Sequence, residues 1–158
     1  MRRRQVVGTM CAAAIACLGI AQAGLAQEKP DPVLEALDGK VKLFLEAISM
    51  GESQAAYQKL LAGSRLAKQT DAVKGLVERA RDFKTRFGEY RSFERIAAKR
   101  VGNDLVLVKY LYKCEHFPVV WYFTFYRPPQ QVQATSETAE AWRVVTVRFD
   151  TELERLAW

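Results

Sequence analysis

The sequence predicts an α+β domain in which three N-terminal helices pack on one face of a four-stranded antiparallel sheet. Three observations predict it. Apolar residues recur at spacings of three and four through the segments between Asp31 and Phe87, the period of amphipathic helices. From Glu89 onward the period shortens toward two, and Val, Tyr, Phe and Trp accumulate, as in strands that bury one face. Helices come first and strands afterwards, an order that segregates the two kinds of element into layers. A chain of 158 residues suits one domain around one core.

The chain begins Met1, Arg2, Arg3, Arg4, runs uncharged from Gln5 to Gln27, and turns polar at Glu28, Lys29, Pro30 and Asp31. A basic start, an apolar middle and small residues at Ala21, Ala23, Gly24 and Ala26 are the parts of a secretory signal peptide. The expected layout is a signal peptide over 1–26, a short linker over 27–31 and a single domain over 32–158, in a periplasmic or secreted protein. Cleavage after Ala23 is the second choice. An uncleaved anchor is disfavoured because the run is Ala- and Gly-rich and lacks a basic stop on its far side. Arg3-Arg4-Gln5 is a loose twin-arginine pattern, and Ala14-Ile15-Ala16-Cys17 a poor lipid-attachment box. No stable membrane insertion is expected once the leader is removed.

Removal of the leader takes three arginines, so 24 − 3 = 21 basic residues face 18 acidic ones and the net charge falls from +6 to +3. That excess is too small and too dispersed to argue for nucleic acid as a partner. Cys11 and Cys17 leave with the leader, so Cys114 stands alone and no internal disulfide is expected.

The first helix carries Leu34, Leu37, Val41, Phe44, Leu45 and Ile48 on one stripe, with Pro32 in its first turn and Gly51 at its end. A second runs from Glu52 to Ala62 with Ala56, Tyr57, Leu60 and Leu61 inward. A third begins after Thr70 or Asp71 and reaches Phe87, with Val73, Leu76, Val77, Ala80, Phe83 and Phe87 as its stripe and Gly88 closing it.

Tyr90 to Val101 reads as the first strand, anchored by Phe93 and Ile96. A three-residue turn, Gly102-Asn103-Asp104, sets Ile96 and Ala98 beside Tyr110 and Val108. Leu105 to Cys114 and Val119 to Tyr126 form the central hairpin. With Cys114 opposite Val119, Tyr112 faces Trp121, Tyr110 faces Phe123 and Val108 faces Phe125. The opposite face carries Leu107, Lys109, Leu111 and Lys113 against Val120, Tyr122, Thr124 and Tyr126. Pro128 to Ala141 is polar and aperiodic, long enough for a lid or partner-binding flap. The last strand is Trp142 to Phe149, with Val145, Val147 and Phe149 alternating against Arg143, Thr146 and Arg148, and a short tail follows.

Phe44-Leu45-Glu46-Ala47 to Gly51, Ala55-Ala56-Tyr57-Gln58-Lys59-Leu60-Leu61, the helix ending Phe87-Gly88, the hairpins, and Trp142-Arg143-Val144-Val145 before Phe149-Asp150 together resemble the nuclear transport factor 2-like (cystatin-like) superfamily. The likeness is greatest to its small secreted bacterial members of unknown function and spans Pro32 to Asp150. It implies a cone of curved sheet around the helices, with a pocket at its open end. It implies no one activity, because the scaffold hosts isomerases, dehydratases, hydrolases and non-enzymatic binders.

The candidate pocket residues are Tyr57, Tyr110, Tyr112, Cys114, Trp121 and Phe123, at the aromatic mouth of such a cone. The expected function is binding of a small apolar ligand or a protein partner. The alternative is a lyase, isomerase or hydrolase using Tyr110 or Tyr112 as donor and Glu94, on the inner face of the first strand, or Asp150 as base. Stability alone also explains buried aromatics. Cys114 with His116 suggests a thiol nucleophile or two metal ligands, but His116 falls in the turn beside Pro118, and neither a metal nor a cofactor is expected. A second copy of the chain, docking through Leu107, Leu111, Val120 and Tyr122, is the remaining candidate partner.

Overall fold

The computed structural model describes residues 31–129 and 139–156. The signal peptide and linker up to residue 30 and the central part of the proposed flap, 130–138, lie outside them. The chain folds as α1 (Pro32–Ser49), α2 (Ser53–Leu60), α3 (Thr70–Arg81), α4 (Phe83–Phe87), β1 (Tyr90–Val101), β2 (Leu105–Cys114), β3 (Val119–Tyr126) and β4 (Arg143–Asp150), with short 3-10 turns at Leu66–Lys68, Ala139–Ala141 and Leu153–Leu156. The strands form one antiparallel meander in the order β1-β2-β3-β4.

Asp31 starts α1: its carboxylate accepts from the backbone N–H of Val33 at 2.9 Å, satisfying a donor that the first turn leaves open. Pro32 follows where a missing N–H costs nothing. Val33, Leu37, Val41, Phe44, Leu45 and Ile48 are buried, while Leu34 is only half-buried. The third expected helix is two. The chain unwinds at Asp82 between α3 and α4, and beyond the break Phe83 lies 5.4 Å from Phe87, 4.7 Å from Phe149 and 5.6 Å from Trp121 between ring centres.

Ala98 pairs with Val108 as the three-residue turn requires, but the register then shifts between Arg95 and Ala97. Ile96 is the extra residue of this bulge and is exposed. Because side chains alternate, one extra residue inverts those before it as far as the next irregularity, between Tyr90 and Ser92. Phe93 and Arg95 therefore stand opposite Tyr112 and Tyr110, and Glu94 falls opposite Leu111 on the outer face.

In the central hairpin Tyr110 pairs with Trp121, Val108 with Phe123 and Tyr112 with Val119. The expected pairs are displaced by two residues, and the inward set is unchanged. Six residues, 113–118, separate the two members of the last pair, Tyr112–Val119, where four were expected, and within them the backbone N–H groups of Glu115 and His116 donate to the carbonyls of Glu89 and Phe87. In β4 a further bulge between the pairs Thr124–Thr146 and Phe125–Val144 buries Val144 and Val147 and exposes Val145, where simple alternation expected Val145 inward.

Candidate functional site

The sequence-selected aromatics come together as the centre of the core. Tyr57 from α2 and Tyr110, Trp121 and Phe123 from the sheet are at most 1% exposed. Phe44 of α1 sits among them, with ring centres 5.0 Å from Tyr57, 5.3 Å from Trp121 and 5.6 Å from Phe123. Trp121 and Phe123 stack at 5.9 Å. Edge-to-face and offset contacts of this kind add to plain area burial.

Tyr112 and Cys114 reach a cleft of about 310 Å³ beside the end of α1, lined also by Ile48, Met50, Phe83 and Tyr90. Burial pushes the Cys114 thiol above its ordinary pKa, which disfavours the thiolate a nucleophile needs. His116 is exposed in the turn, and its backbone N–H donates to the Phe87 carbonyl at 2.8 Å. Among the described residues there is no group of three or more His, Cys, Asp or Glu able to hold a metal ion.

The two sequence-selected bases lie on the outer face. Glu94 is ion-paired to Lys113 at 2.8 Å. Asp150 stands opposite Val120 at the end of β4 and accepts from the Glu152 backbone at 3.1 Å. The carboxylate that does meet a tyrosine is Asp38, 2% exposed. It accepts from the Tyr110 hydroxyl, lies 2.8 Å from Lys42 Nζ and 3.4 Å from Arg95. Burial works against its charge, but the Lys42 and Tyr110 hydrogen bonds and the Arg95 charge prevail and hold its pKa below the usual value. Burial, and then the bond to Asp38, push the Tyr110 hydroxyl well above the ordinary tyrosine range. Position 38 lies three residues before Val41, on the apolar stripe of α1. An acid at a core position was the signal that sequence reading passed over.

On the outer face an open cleft of about 550 Å³ is lined by Leu107, Lys109, Tyr122, Thr124, Thr146 and Arg148, among others. Lys109 Nζ and Arg148 Cζ lie 5.2 and 4.4 Å from the Tyr122 ring centre. Val120 is fully buried and Tyr122 half-buried, so this face exposes less apolar surface than alternation alone suggested.

A third cleft, about 320 Å³, runs between α1, α2 and the start of β4. Its size falls at the lower end of the range of small-molecule pockets, about 300–1,000 Å³. Small side chains create it: Ala47 on α1 and Ala55 and Ala56 on α2 line it, where larger residues would close the groove. Leu43, Phe44, Leu60, Phe125, Trp142 and Val144 complete its apolar lining. Two contacts hold β4 against the loop after α2. The Ser64 hydroxyl donates to the Val144 carbonyl at 2.5 Å. Gly63, at φ +74°, lets the Arg143 guanidinium lie so close that a Cβ there would stand 2.9 Å from its Nε.

Trp142 is 2% exposed and its indole N–H has no hydrogen-bond acceptor among the described residues. Arg100 and Arg127 flank its ring at 5.8 and 5.5 Å, each ion-paired elsewhere, to Asp31 and Asp104. The rim of the cleft carries Lys40, Lys59 and Arg143 against Glu52. Burial lowers the Lys40 pKa and the nearby Arg143 charge lowers it further, with Glu140 opposing. Neither Asp38 nor Tyr110 lines any of the three clefts.

Comparison with protein-family models, curated proteins and solved structures returned no match to this chain, and the site is read from its own geometry. No helix among the described residues is long and apolar enough to cross a membrane.

Proposed function

We propose that the chain is an exported, non-enzymatic binding domain with the cone-like nuclear transport factor 2-like fold, and that it holds a small apolar ligand in the cleft between α1, α2 and β4. The observation that carries the reading is the alanine-formed groove itself, which is concave, predominantly apolar, and bordered by Trp142, whose buried indole N–H has no acceptor among the described residues. A groove of this composition gains free energy by removing a ligand's apolar surface from water, about 25 cal/mol per Å² before the costs of association. Helices preceding a meander whose inner face is aromatic support the cone. The basic start and uncharged run of the leader support export.

Binding is favoured over proton-transfer catalysis because Asp38 already serves Tyr110, Lys42 and Arg95 and borders none of the three clefts. A base committed to three partners in the core has no route to a substrate proton.

The test is titration of the mature protein with a neutral apolar probe, 1-octanol, followed by calorimetry, alongside the variant Ala55→Trp. Ala55 is an exposed helix residue lining the groove, so tryptophan there fills the cleft with little cost to the fold. Saturable binding abolished by Ala55→Trp supports the reading. Absence of binding, or binding indifferent to the substitution, refutes it.

A further inference from the structure

The cleft of about 310 Å³ beside the end of α1 is separate from the groove between α1, α2 and β4, and the two share no lining residue. Ile48, Ala80 and Phe83 are buried in its walls. The Tyr112 ring lies 4.9 Å from Tyr90 and 5.9 Å from Phe83 between centres. Met50, 72% exposed, stands at the rim, where a flexible thioether makes favourable contacts with an aromatic ring.

Tyr112 is only 2% exposed, and its hydroxyl makes no hydrogen bond with the described residues. The Tyr57 hydroxyl and the indole nitrogens of Trp121 and Trp142 are also unpartnered, but those atoms are sealed from solvent. The Tyr112 hydroxyl is not among the sealed atoms, and its side chain lines the cleft. Burial pushes its pKa well above the ordinary tyrosine range, with Cys114 and Tyr90 adding to the rise. At neutral pH it therefore stays protonated and offers both a donor and acceptor positions. The other polar groups are engaged or outside: the Ser49 hydroxyl donates to the Glu46 carbonyl at 2.7 Å, Lys84 and Glu89 are ion-paired at 2.6 Å, and Arg81 is exposed. The buried end of the cleft is thus neutral and aromatic, with its charges at the rim.

We propose that this cleft is a second binding site, taking a small single-ring phenol whose ring lies against Met50, Phe83 and Tyr90 and whose hydroxyl bonds that of Tyr112. A ligand hydroxyl donates and accepts, so it meets the Tyr112 hydroxyl in either sense, while the ring gains edge and offset contacts with its aromatic walls. The site does not depend on occupancy of the apolar groove.

The test titrates the full mature protein with 4-methylphenol and with toluene, which lacks only the hydroxyl, by calorimetry and methyl-resolved NMR at neutral pH. The expected result is saturable binding of 4-methylphenol that shifts the Ile48 and Met50 methyl groups and leaves Leu43 and Ala55 unmoved. Tyr112→Phe removes a hydroxyl that bonds nothing described in the fold, so the variant should melt with the parent protein. In it the affinity for 4-methylphenol is expected to fall about fivefold, with that for toluene unchanged. Tyr126→Phe, at the far end of β3, should alter neither. No saturable binding of 4-methylphenol overturns the site, as do shifts at Leu43 and Ala55 in place of Ile48 and Met50. Equal losses for the two probes in Tyr112→Phe, or an equal loss for 4-methylphenol in Tyr126→Phe, overturn the assignment of the hydroxyl.

Discussion

The Tyr110 hydroxyl, on the central strand β2, donates to the carboxylate of Asp38 in the middle of α1. With the pairs Arg95 makes to Asp38 and Glu35, this bond ties the helical layer to the sheet through polar groups at the edge of an apolar interface. Lys42 and Arg95 complete the charge balance around the acid from the helix and from β1. Lys42 and Arg95 keep much of their contact with water, so Asp38→Ala chiefly strands the buried Tyr110 hydroxyl and is expected to destabilise the fold by about 1–3 kcal/mol. Tyr110→Phe, which deletes one donor to a charge that keeps its other partners, is expected to cost about 1.5–3 kcal/mol. Urea unfolding of both variants and of the double variant measures the coupling, which should be well above zero.

Acid should weaken the protein through the same residue. The folded-state pKa of Asp38 is depressed, and so is that of Asp31. Burial acts against the Asp31 charge, but the Arg100 hydrogen bond and the two N-cap bonds outweigh it. A depressed folded pKa stabilises above the unfolded value, near about 3.9 for Asp, and that contribution is lost as pH falls through the folded value. The urea midpoint is expected to hold steady from about pH 7 to about pH 5 and then fall steeply. Asp38→Asn should flatten that fall relative to the parent protein.

Gly88 makes a separate prediction about the junction between α4 and β1. Its φ of +86° is accompanied by an extended ψ, a combination nearly confined to glycine, and a Cβ would stand 2.8 Å from the Glu115 Cβ and 3.0 Å from the His116 ring. Gly88→Ala is expected to lower stability by about 1–3 kcal/mol from backbone strain alone, with further loss if the 113–118 turn is displaced. Thermal melts of the variant check it.

Cys114 should behave as a packing residue. With its pKa raised by burial, less thiolate is present at neutral pH than for a free cysteine, and its reaction with a disulfide reagent should be slower than that of glutathione under the same conditions. Cys114→Ala is expected to fold normally and to change stability by about 1 kcal/mol. Rapid modification at neutral pH would count against this.

Which parts of the architecture were legible follows from the physics of each signal. Periodicity found α1, α2 and α3 because their buried stripes are local, and the turn at Gly102-Asn103-Asp104 set Ala98 against Val108 because a short loop fixes register. The bulges at Ile96 and Val145 left no composition mark, and each inverted the residues beyond it, carrying Glu94 to the outer face. The two-residue slip of Tyr112 and Trp121 arose because the turn takes six residues, 113–118, where four were expected, and the bonds of Glu115 and His116 to Glu89 and Phe87 join positions too far apart for a local pattern to show. Asp38 was hidden because an acid in a helix is ordinarily solvated. The α1–α2–β4 groove joins residues some 80–100 positions apart, such as Leu43 and Val144, and no local pattern announces it.

The central claim is the groove's occupancy, and methyl-resolved NMR of the mature protein titrated with 1-octanol tests it most directly. The account predicts saturable shifts concentrated on Leu43, Ala47, Ala55, Leu60 and Val144, which line the groove, with Leu107, Leu105 and Val101 on the outer side of the sheet unmoved. Shifts confined to the outer face, or to Ile48 and Met50 beside Tyr112 and Cys114, would contradict it.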